Sequence, residues 1–280
     1  MNFLEAKNLS QALDYRKEHP TYKLLAGGTD LCVLMNSGII KPEGLISIWG
    51  LDELKQITEE GDVISIGALV THSAVAQSGM IQKHIPVLGK ACLTVGARQI
   101  QNRGTIGGNI MNASPAGDTL PVLLAYDATI EVSNTQGSRQ IPFTEFYTGY
   151  RQTALKEDEM VTRILIKKPN QGEKADFIKI GTRKAQAISK VMACFRMQTQ
   201  DDVITSFQAA YGSVAAIPVR VTALEEFLVG EKLEEKTIEE AIQITKDNLN
   251  PIDDIRSTAD YRKHVCGVMV KRFLVTLLQS

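Results

Sequence analysis

Lys23-Leu24-Leu25-Ala26-Gly27-Gly28-Thr29-Asp30 starts as a short apolar strand and ends in two glycines and a helix-capping pair. A second diglycine stretch, Thr105-Ile106-Gly107-Gly108-Asn109, follows much later in the chain. Each is a run of small residues whose backbone N–H groups can approach an anion closely. Neither fits the common nucleotide fingerprints, because the chain holds no G-x-G-x-x-G and no G-x-x-x-x-G-K-[ST]. Two such loops predict a clamp that grips a diphosphate from both sides without a Rossmann turn or a P-loop.

Around the first loop the sequence reads helix, strand, helix, strand. Ser10 is placed to cap a helix that runs to about Lys17 and is ended by Pro20. Tyr22 to Ala26 is a short strand, and Thr29 or Asp30 caps a second helix, Leu31 to Asn36, closed by Gly38. Leu45 to Ile48 is the second strand.

From Leu54 to about Ile166 short alternating segments such as Val63 to Ile66 and Thr129 to Val132 are separated by turn signals. Helical pieces lie between them at 73–77, 86–94 and 118–126, which suggests a mainly antiparallel sheet flanked by helices. The polar, proline- and glycine-bearing stretch 167–173 is the best linker. Beyond it come three strand candidates (177–181, 189–199, 203–211) and three helices (221–229, 237–248, 258–278). The reading is an α+β chain: a larger unit over 1–167, subdivided near residue 53 into 1–53 and 54–167, then a smaller one over 174–280.

Composition excludes several classes. With 44% hydrophobic and 22% charged residues over 280 positions, the chain can bury a real core. Its 31 lysines and arginines balance 32 acidic residues, so there is no basic excess to suit a nucleic acid. The N-terminus lacks the pattern of a signal peptide, and no stretch reaches the roughly 18 continuous apolar residues of a membrane span. Cys32, Cys92, Cys194 and Cys266 are widely separated, so local spacing supports neither zinc nor an iron–sulfur cluster, and a cytoplasmic location is expected. His19, His72, His84 and His264 are scattered too, and each reads as a surface or capping residue.

Each loop also has a plain structural reading. Glycines turn a strand sharply into a helix, and Thr29-Asp30 is a good cap; for this loop both readings stand. Residues 105–118 form what reads as one irregular stretch crowded with hydrogen-bonding side chains. Within it Asp118 is a candidate helix cap and Ser114 a candidate turn starter. Taken with the first loop, that density favours a site for a phosphorylated, polyol-bearing cofactor. The segment from Arg98 to Arg103 suits solvent, a cofactor or a partner equally. Lys179 falls on the polar face of a strand, where exposure is the default.

These residues resemble a known family. Lys-Leu-Leu-Ala-Gly-Gly-Thr-Asp at 23–30, Thr-Ile-Gly-Gly-Asn at 105–109 and Ala-Ser-Pro-Ala-Gly-Asp at 113–118 closely resemble the FAD-binding (medium) subunit of molybdenum hydroxylases. Xanthine dehydrogenase and carbon monoxide dehydrogenase are its relatives. The 99–104 segment fits as well, and the resemblance covers essentially the whole chain.

It implies an FAD-binding domain of the vanillyl-alcohol oxidase (PCMH) type, shared with the cell-wall reductase of UDP-acetylmuramate synthesis, in which two α/β subdomains enclose FAD. The small C-terminal α+β domain would be of the carbon monoxide dehydrogenase flavoprotein type, with a three-stranded antiparallel sheet. Carried over by position, Lys23, Leu24, Leu25, Ala26, Gly27, Gly28, Thr29 and Asp30 would hold the pyrophosphate. Thr105, Ile106, Gly107, Gly108 and Asn109 would reach the flavin and the rest of the diphosphate. Asp118 would bond ribityl or ribose hydroxyls, Lys179 would contact the isoalloxazine, and Met160-Val161 would pack on the ring system; Ser114 joins the cofactor set. No histidine or cysteine lies inside the matched motifs to carry a covalent flavin.

Molybdopterin and two [2Fe–2S] clusters are expected on separate large and small partner subunits. The implied role is an electron relay, in which FAD takes electrons from the iron–sulfur subunit and an acceptor such as NAD+ removes them. The motif wording sits nearer xanthine or purine dehydrogenase than carbon monoxide dehydrogenase. The rivals are a stand-alone FAD-dependent oxidoreductase with its own substrate site, and a nucleotide-binding scaffold without redox chemistry.

Overall fold

The fold is described from a computed structural model covering residues 1–279, and position 280 lies outside the described residues. The first unit comprises β1 (Asn2–Glu5), α1 (Leu9–Glu18), β2 (Lys23–Leu25), α2 (Leu31–Asn36) and β3 (Gly44–Ser47). Its strands form a parallel sheet in the order β1-β3-β2. The sequence reading missed β1, because a four-residue strand shows no periodicity and its partner is distant in the chain. Asn8, not Ser10, caps α1, its side chain accepting from the Gln11 N–H at 2.9 Å.

The second unit starts with the hairpin β4 (Ile57–Glu60) and β5 (Val63–Gly67). Helices follow: α3 (His72–Gln77), α4 (Gly79–His84), α5 (Pro86–Cys92), α6 (Arg98–Gln101), α7 (Ile106–Asn112) and α8 (Leu120–Ala125). The hairpin β6 (Thr129–Asn134) and β7 (Gly137–Pro142) leads through α9 (Phe143–Phe146), β8 (Tyr147–Gly149) and β9 (Gln152–Thr153) to β10 (Met160–Lys167). The sheet order β4-β5-β10-β6-β7 places the last strand in the middle, every pair antiparallel. Residues 105–118 are thus not one irregular stretch. The first half is α7, which Thr105 caps by accepting from the Gly108 N–H, and which ends with Ala113 in a left-handed conformation. Two glycines and two asparagines are poor helix formers, so only tertiary packing makes this segment helical.

The third sheet, β11 (Lys174–Gly181), β12 (Ser189–Gln200), β13 (Val203–Gly212) and β14 (Val219–Arg220), is antiparallel in that order. Its short fourth strand adds to the expected three. α10 (Thr222–Leu228), α11 (Glu235–Asp247) and α12 (Ala259–Leu278) cover its outer face.

The layers follow from alternation along β12. Met192 and Cys194 point into the core shared with α5, α8 and the second sheet, while Val191, Ala193, Phe195 and Met197 point to α10–α12. Helices of the second unit are therefore sandwiched between two sheets, and both faces of the third are dry. A smaller core of Ala12, Leu13, Ile46, Ile48 and Leu69 backs the first sheet and includes Met160. Among the described residues no helix is long and apolar enough to cross a membrane.

Arg196 pins the sandwich. Its guanidinium is bidentate to Glu173 at 2.8 and 2.7 Å and donates to the Ala125 carbonyl at the end of α8 at 2.7 Å. The Glu173 side chain is only 5% exposed, so removing its cation strands a buried charge. Arg196→Met should lower unfolding free energy by about 3–5 kcal/mol in urea titrations; a loss below about 1 kcal/mol would mean the pair is dispensable.

Candidate cofactor site

A cleft of about 1600 Å³ runs from Lys23 at the first sheet to Arg262 on α12, larger than the roughly 300–1,000 Å³ of an ordinary small-ligand pocket. The two diglycine loops meet at its wall. A Cβ on Gly27 would lie 1.7 Å from the Arg103 carbonyl oxygen, so only glycine lets the first loop rest on the backbone that leads into α7. Asn112 ties the two again by donating to Asp30 Oδ1 at 3.1 Å.

The loops offer different chemistry. Gly28 has φ +78°, the left-handed region glycine tolerates. The N–H groups of Gly27, Gly28, Thr29 and Asp30 donate no hydrogen bond among the described residues. Neither Thr29 nor Asp30 makes the expected side-chain cap of α2. This is a concave turn with free donors, suited to an anion. At α7, by contrast, Ile106 N–H bonds the Val70 carbonyl and Gly107 N–H the Ala68 carbonyl, both at 3.0 Å, and Gly108 N–H goes to the Thr105 hydroxyl. Of the two loops, the first is therefore the one whose N–H groups stay free. Docking α7 against the 68–70 segment consumes its donors, which no local pattern reveals.

Asp118 lines the cleft from another wall and is 6% exposed. It does not cap α8, whose N-cap is Thr119. Its Oδ2 accepts from Lys179 Nζ at 2.5 Å and its Oδ1 from the Ser189 hydroxyl at 3.0 Å. Burial pushes the Asp118 carboxyl above the ordinary carboxylate range, and Lys179 opposes that rise. Lys179 is therefore not an exposed strand lysine: its ammonium, 11% exposed as a side chain, also donates to the Thr94 carbonyl at 3.0 Å.

Lys23, Leu24, Ala26, Gly27, Gly28, Thr29, Asp30, Thr105, Gly108, Asn109, Ser114, Asp118, Met160 and Val161 all line the cleft. Leu25, Ile106, Gly107 and Lys179 do not. Ile106 is fully buried, and Gly107 packs so tightly that a Cβ would lie 2.6 Å from the Ala68 carbonyl oxygen. Asn109 accepts from the Thr119 hydroxyl at 2.6 Å, and Ser114 Oγ accepts from the Ala116 N–H at 3.2 Å, the turn its sequence suggested. Asp30 is raised by burial and held down by Arg151.

Sequence reasoning missed Arg16, Tyr150, Arg151, Ile188 and Arg262, which also line the cleft. The Gly149-Tyr150-Arg151 turn was the one available signal, with Arg151 at φ +56°. His72 was expected as a surface or capping residue but is 2% exposed and lines the cleft, its Nδ1 without a partner among the described residues. Of the 98–103 segment, Arg103 stacks its guanidinium 3.9 Å from the Trp49 ring.

Free backbone donors, a buried carboxylate and apolar walls at Met160 and Val161 fit a large cofactor with a diphosphate, a polyol and an aromatic ring. Comparison with known proteins agrees. Residues 1–169 match the family model of the FAD binding domain in molybdopterin dehydrogenase, and 176–277 match the CO dehydrogenase flavoprotein C-terminal domain. The nicotinate dehydrogenase FAD-subunit of Eubacterium barkeri is 32% identical, the match covering 99% of this chain and 96% of that one. The glyceraldehyde dehydrogenase medium chain of Sulfolobus acidocaldarius is 28% identical over 97% and 96% of the two chains. Among solved structures, carbon monoxide dehydrogenase from Hydrogenophaga pseudoflava, in a form lacking the Mo-pyranopterin moiety, superposes with TM-score 0.93. That match has 28% identity and covers 97% of this chain and 95% of that one. The chain belongs to the FAD-binding subunits of the molybdenum hydroxylase family, and is an FAD-dependent oxidoreductase subunit.

Neighbouring glycines should separate fold from cofactor. Among the described residues a Cβ on Gly108 meets only the Thr105 hydroxyl within 4 Å, at 2.9 Å, so that hydroxyl must shift slightly and the rest of a larger side chain enters the cleft. Gly108→Val should give a folded, colourless protein, whereas Gly107→Ala should lower stability through its clash with Ala68. Visible spectra and melting curves check both; a yellow, stoichiometrically loaded Gly108→Val would remove Gly108 from the site.

Burial lowers His72 from its ordinary 6.5 to about 4. Between those values the unfolded chain binds a proton that the folded chain refuses, so stability falls as pH drops through this window. The loss at the bottom is on the order of 3 kcal/mol. His72→Gln should flatten that part of the stability–pH curve, measured as its difference from the wild-type curve.

Proposed function

We propose that the chain is the electron-relay subunit of a heteromeric molybdenum hydroxylase. Electrons enter from [2Fe–2S] clusters on a small partner subunit and leave to an acceptor such as NAD+; molybdopterin and the substrate belong to a large subunit. Bound FAD supplies the redox chemistry, and the protein supplies position and electrostatics. The observation that carries the reading is the row of unspent N–H groups at Gly27 to Asp30, set in the same cleft as the Asp118 carboxylate.

The chain's residues divide the work of holding the cofactor. The 27–30 loop takes the diphosphate, as unpaired backbone donors in a glycine turn do. Asp118 accepts from polyol hydroxyls, and Met160 and Val161 give the ring an apolar wall. Thr105, Gly108, Asn109 and Ser114 shape the floor. Leu25, Ile106 and Gly107 support it from behind. No acid–base or nucleophilic role is assigned, because electron transfer requires none here.

We divide the chain into an FAD-binding domain, 1–167, with subdomains of about 1–53 and 54–167, and a C-terminal domain, 174–280, at work in the cytoplasm. The names of similar proteins support a relay rather than a substrate site: nicotinate, glyceraldehyde and carbon monoxide differ greatly, yet this chain matches each of those subunits over nearly its whole length. For the complex we propose an N-heterocyclic substrate, xanthine or a purine among them. The motif wording leans that way, and nicotinate is itself an N-heterocycle.

The purified single chain should bind FAD, fail to oxidise xanthine or nicotinate, and pass electrons slowly from NADH to an artificial dye. Turnover of a heterocycle by the chain alone would establish the rival, a stand-alone FAD-dependent oxidoreductase with its own substrate site.

A further inference from the structure

The N–H groups of the 27–30 loop bind nothing among the described residues, so something other than backbone pairing must hold the loop in place. We propose that Trp49 and Arg103 are positioning residues, a stacked pair that clasps this loop for the cofactor and leaves all its donors free. The inference rests on the reading that the loop takes the diphosphate.

Among the described residues no backbone hydrogen bond joins 23–36 to 98–112, and the two segments are built on different sheets. One side-chain bond, Asn112 to Asp30, crosses at the far end of the loop. At the near end the crossing is carried by Arg103. Gly27 rests on its carbonyl oxygen, and its guanidinium lies 3.9 Å from the centre of the Trp49 ring. That guanidinium has no carboxylate partner and no hydrogen bond among the described residues. Each half of the stack is anchored in its own unit. Ile48, just before Trp49, is buried behind the first sheet and donates its N–H to the Leu25 carbonyl at 3.0 Å, two residues ahead of Gly27. On the other side the Arg103 N–H donates to the Ile100 carbonyl at 3.1 Å. The next carbonyl, that of Gly104, accepts from the His72 N–H at 3.0 Å. Lys55, paired with Asp52, lies 5.2 Å from the same indole, so the ring serves as a platform for cations. A planar guanidinium stacks on such a face where an ammonium only approaches it. The Gly27 contact has no attraction of its own, being backbone against a carbonyl oxygen. Closing it by the stack keeps the free donors aimed together, and a preorganised loop has less order to gain when the cofactor binds.

A double-mutant cycle on the full chain, stripped of flavin and titrated with FAD by fluorescence, tests this. Trp49→Leu and Arg103→Met, which both keep the Arg103 carbonyl in place, should each weaken FAD about three- to tenfold. The double variant should bind within about twofold of either single one, because each removes the same contact. Trp49→Phe, which keeps an aromatic face, and Arg103→Lys, which keeps the charge, should each recover part of the loss. Should a truncation fail to fold, these two conservative variants give the same cycle with smaller steps. Losses that multiply in the double variant would overturn the proposal, since the two side chains would then act separately. Lower melting temperature with unchanged FAD affinity would also overturn it, leaving a structural contact only. Full FAD affinity in Gly28→Val, whose Cβ would sit 3.0 Å from Cys32 Sγ, would instead show that the loop does not take the diphosphate, which is the failure of the reading beneath.

Discussion

One backbone contact sets up the site: the rest of Gly27 on the Arg103 carbonyl, where even a methyl group has no room. It brings a loop leaving the parallel sheet onto the approach to α7, a helix that belongs to the antiparallel one. The first loop keeps its backbone donors free because it leans on the second through a missing side chain and one side-chain hydrogen bond, Asn112 to Asp30, rather than through its own N–H groups. The second spends its donors on the 68–70 segment and becomes rigid. A cofactor cradle results from this unequal partnership: one wall fixed, the other left with unsatisfied polar groups for a ligand.

The same division appears at the far wall. β11 and β12 pack their inward faces on α5 and α8, so Phe177, Met192 and Cys194 share a core with the second sheet. That packing carries Lys179 and Ser189 to Asp118. Around the apolar contact, Arg196 and Arg220 join the layers by donating to the Ala125 carbonyl and to Asp127. The C-terminal sheet thus reaches the wall of the cleft at Asp118, and the segments beside it, 186–189 and 213–216, line the cleft directly.

Much of the fold was legible. Alternation in 63–66 and 129–132 gave real strands, and Gly27-Gly28 and the turn signals marked real boundaries, whereas Gly107-Gly108 fell inside α7 and neither Ser10 nor Asp118 is a cap. Elements missed, among them β1, β14, α4, α6, α7 and α9, are short or made of weak helix formers. Such segments take their conformation from what they pack against, since an isolated turn of helix does not hold in water. The motif residues lie largely in one cleft, but the hydrogen-bond partner of each was not legible. Asp118 reads equally as a cap, and Lys179 as a solvated strand lysine, until the partner of each is known. His72 misled for the same reason: nothing in Val70-Thr71-His72-Ser73 says that the ring turns inward.

The sequence by itself determined the α+β layout and the two loops that bound the cleft, because these rest on local chemistry: glycine's conformational freedom, capping residues and the period of apolar positions. The family and the cofactor class came from the resemblance of its motifs to known proteins. Only the tertiary structure decided which loop has donors left to give and which lysine answers to which carboxylate. A hydrogen bond is made or spent between groups far apart in the chain, and no local pattern records its other half.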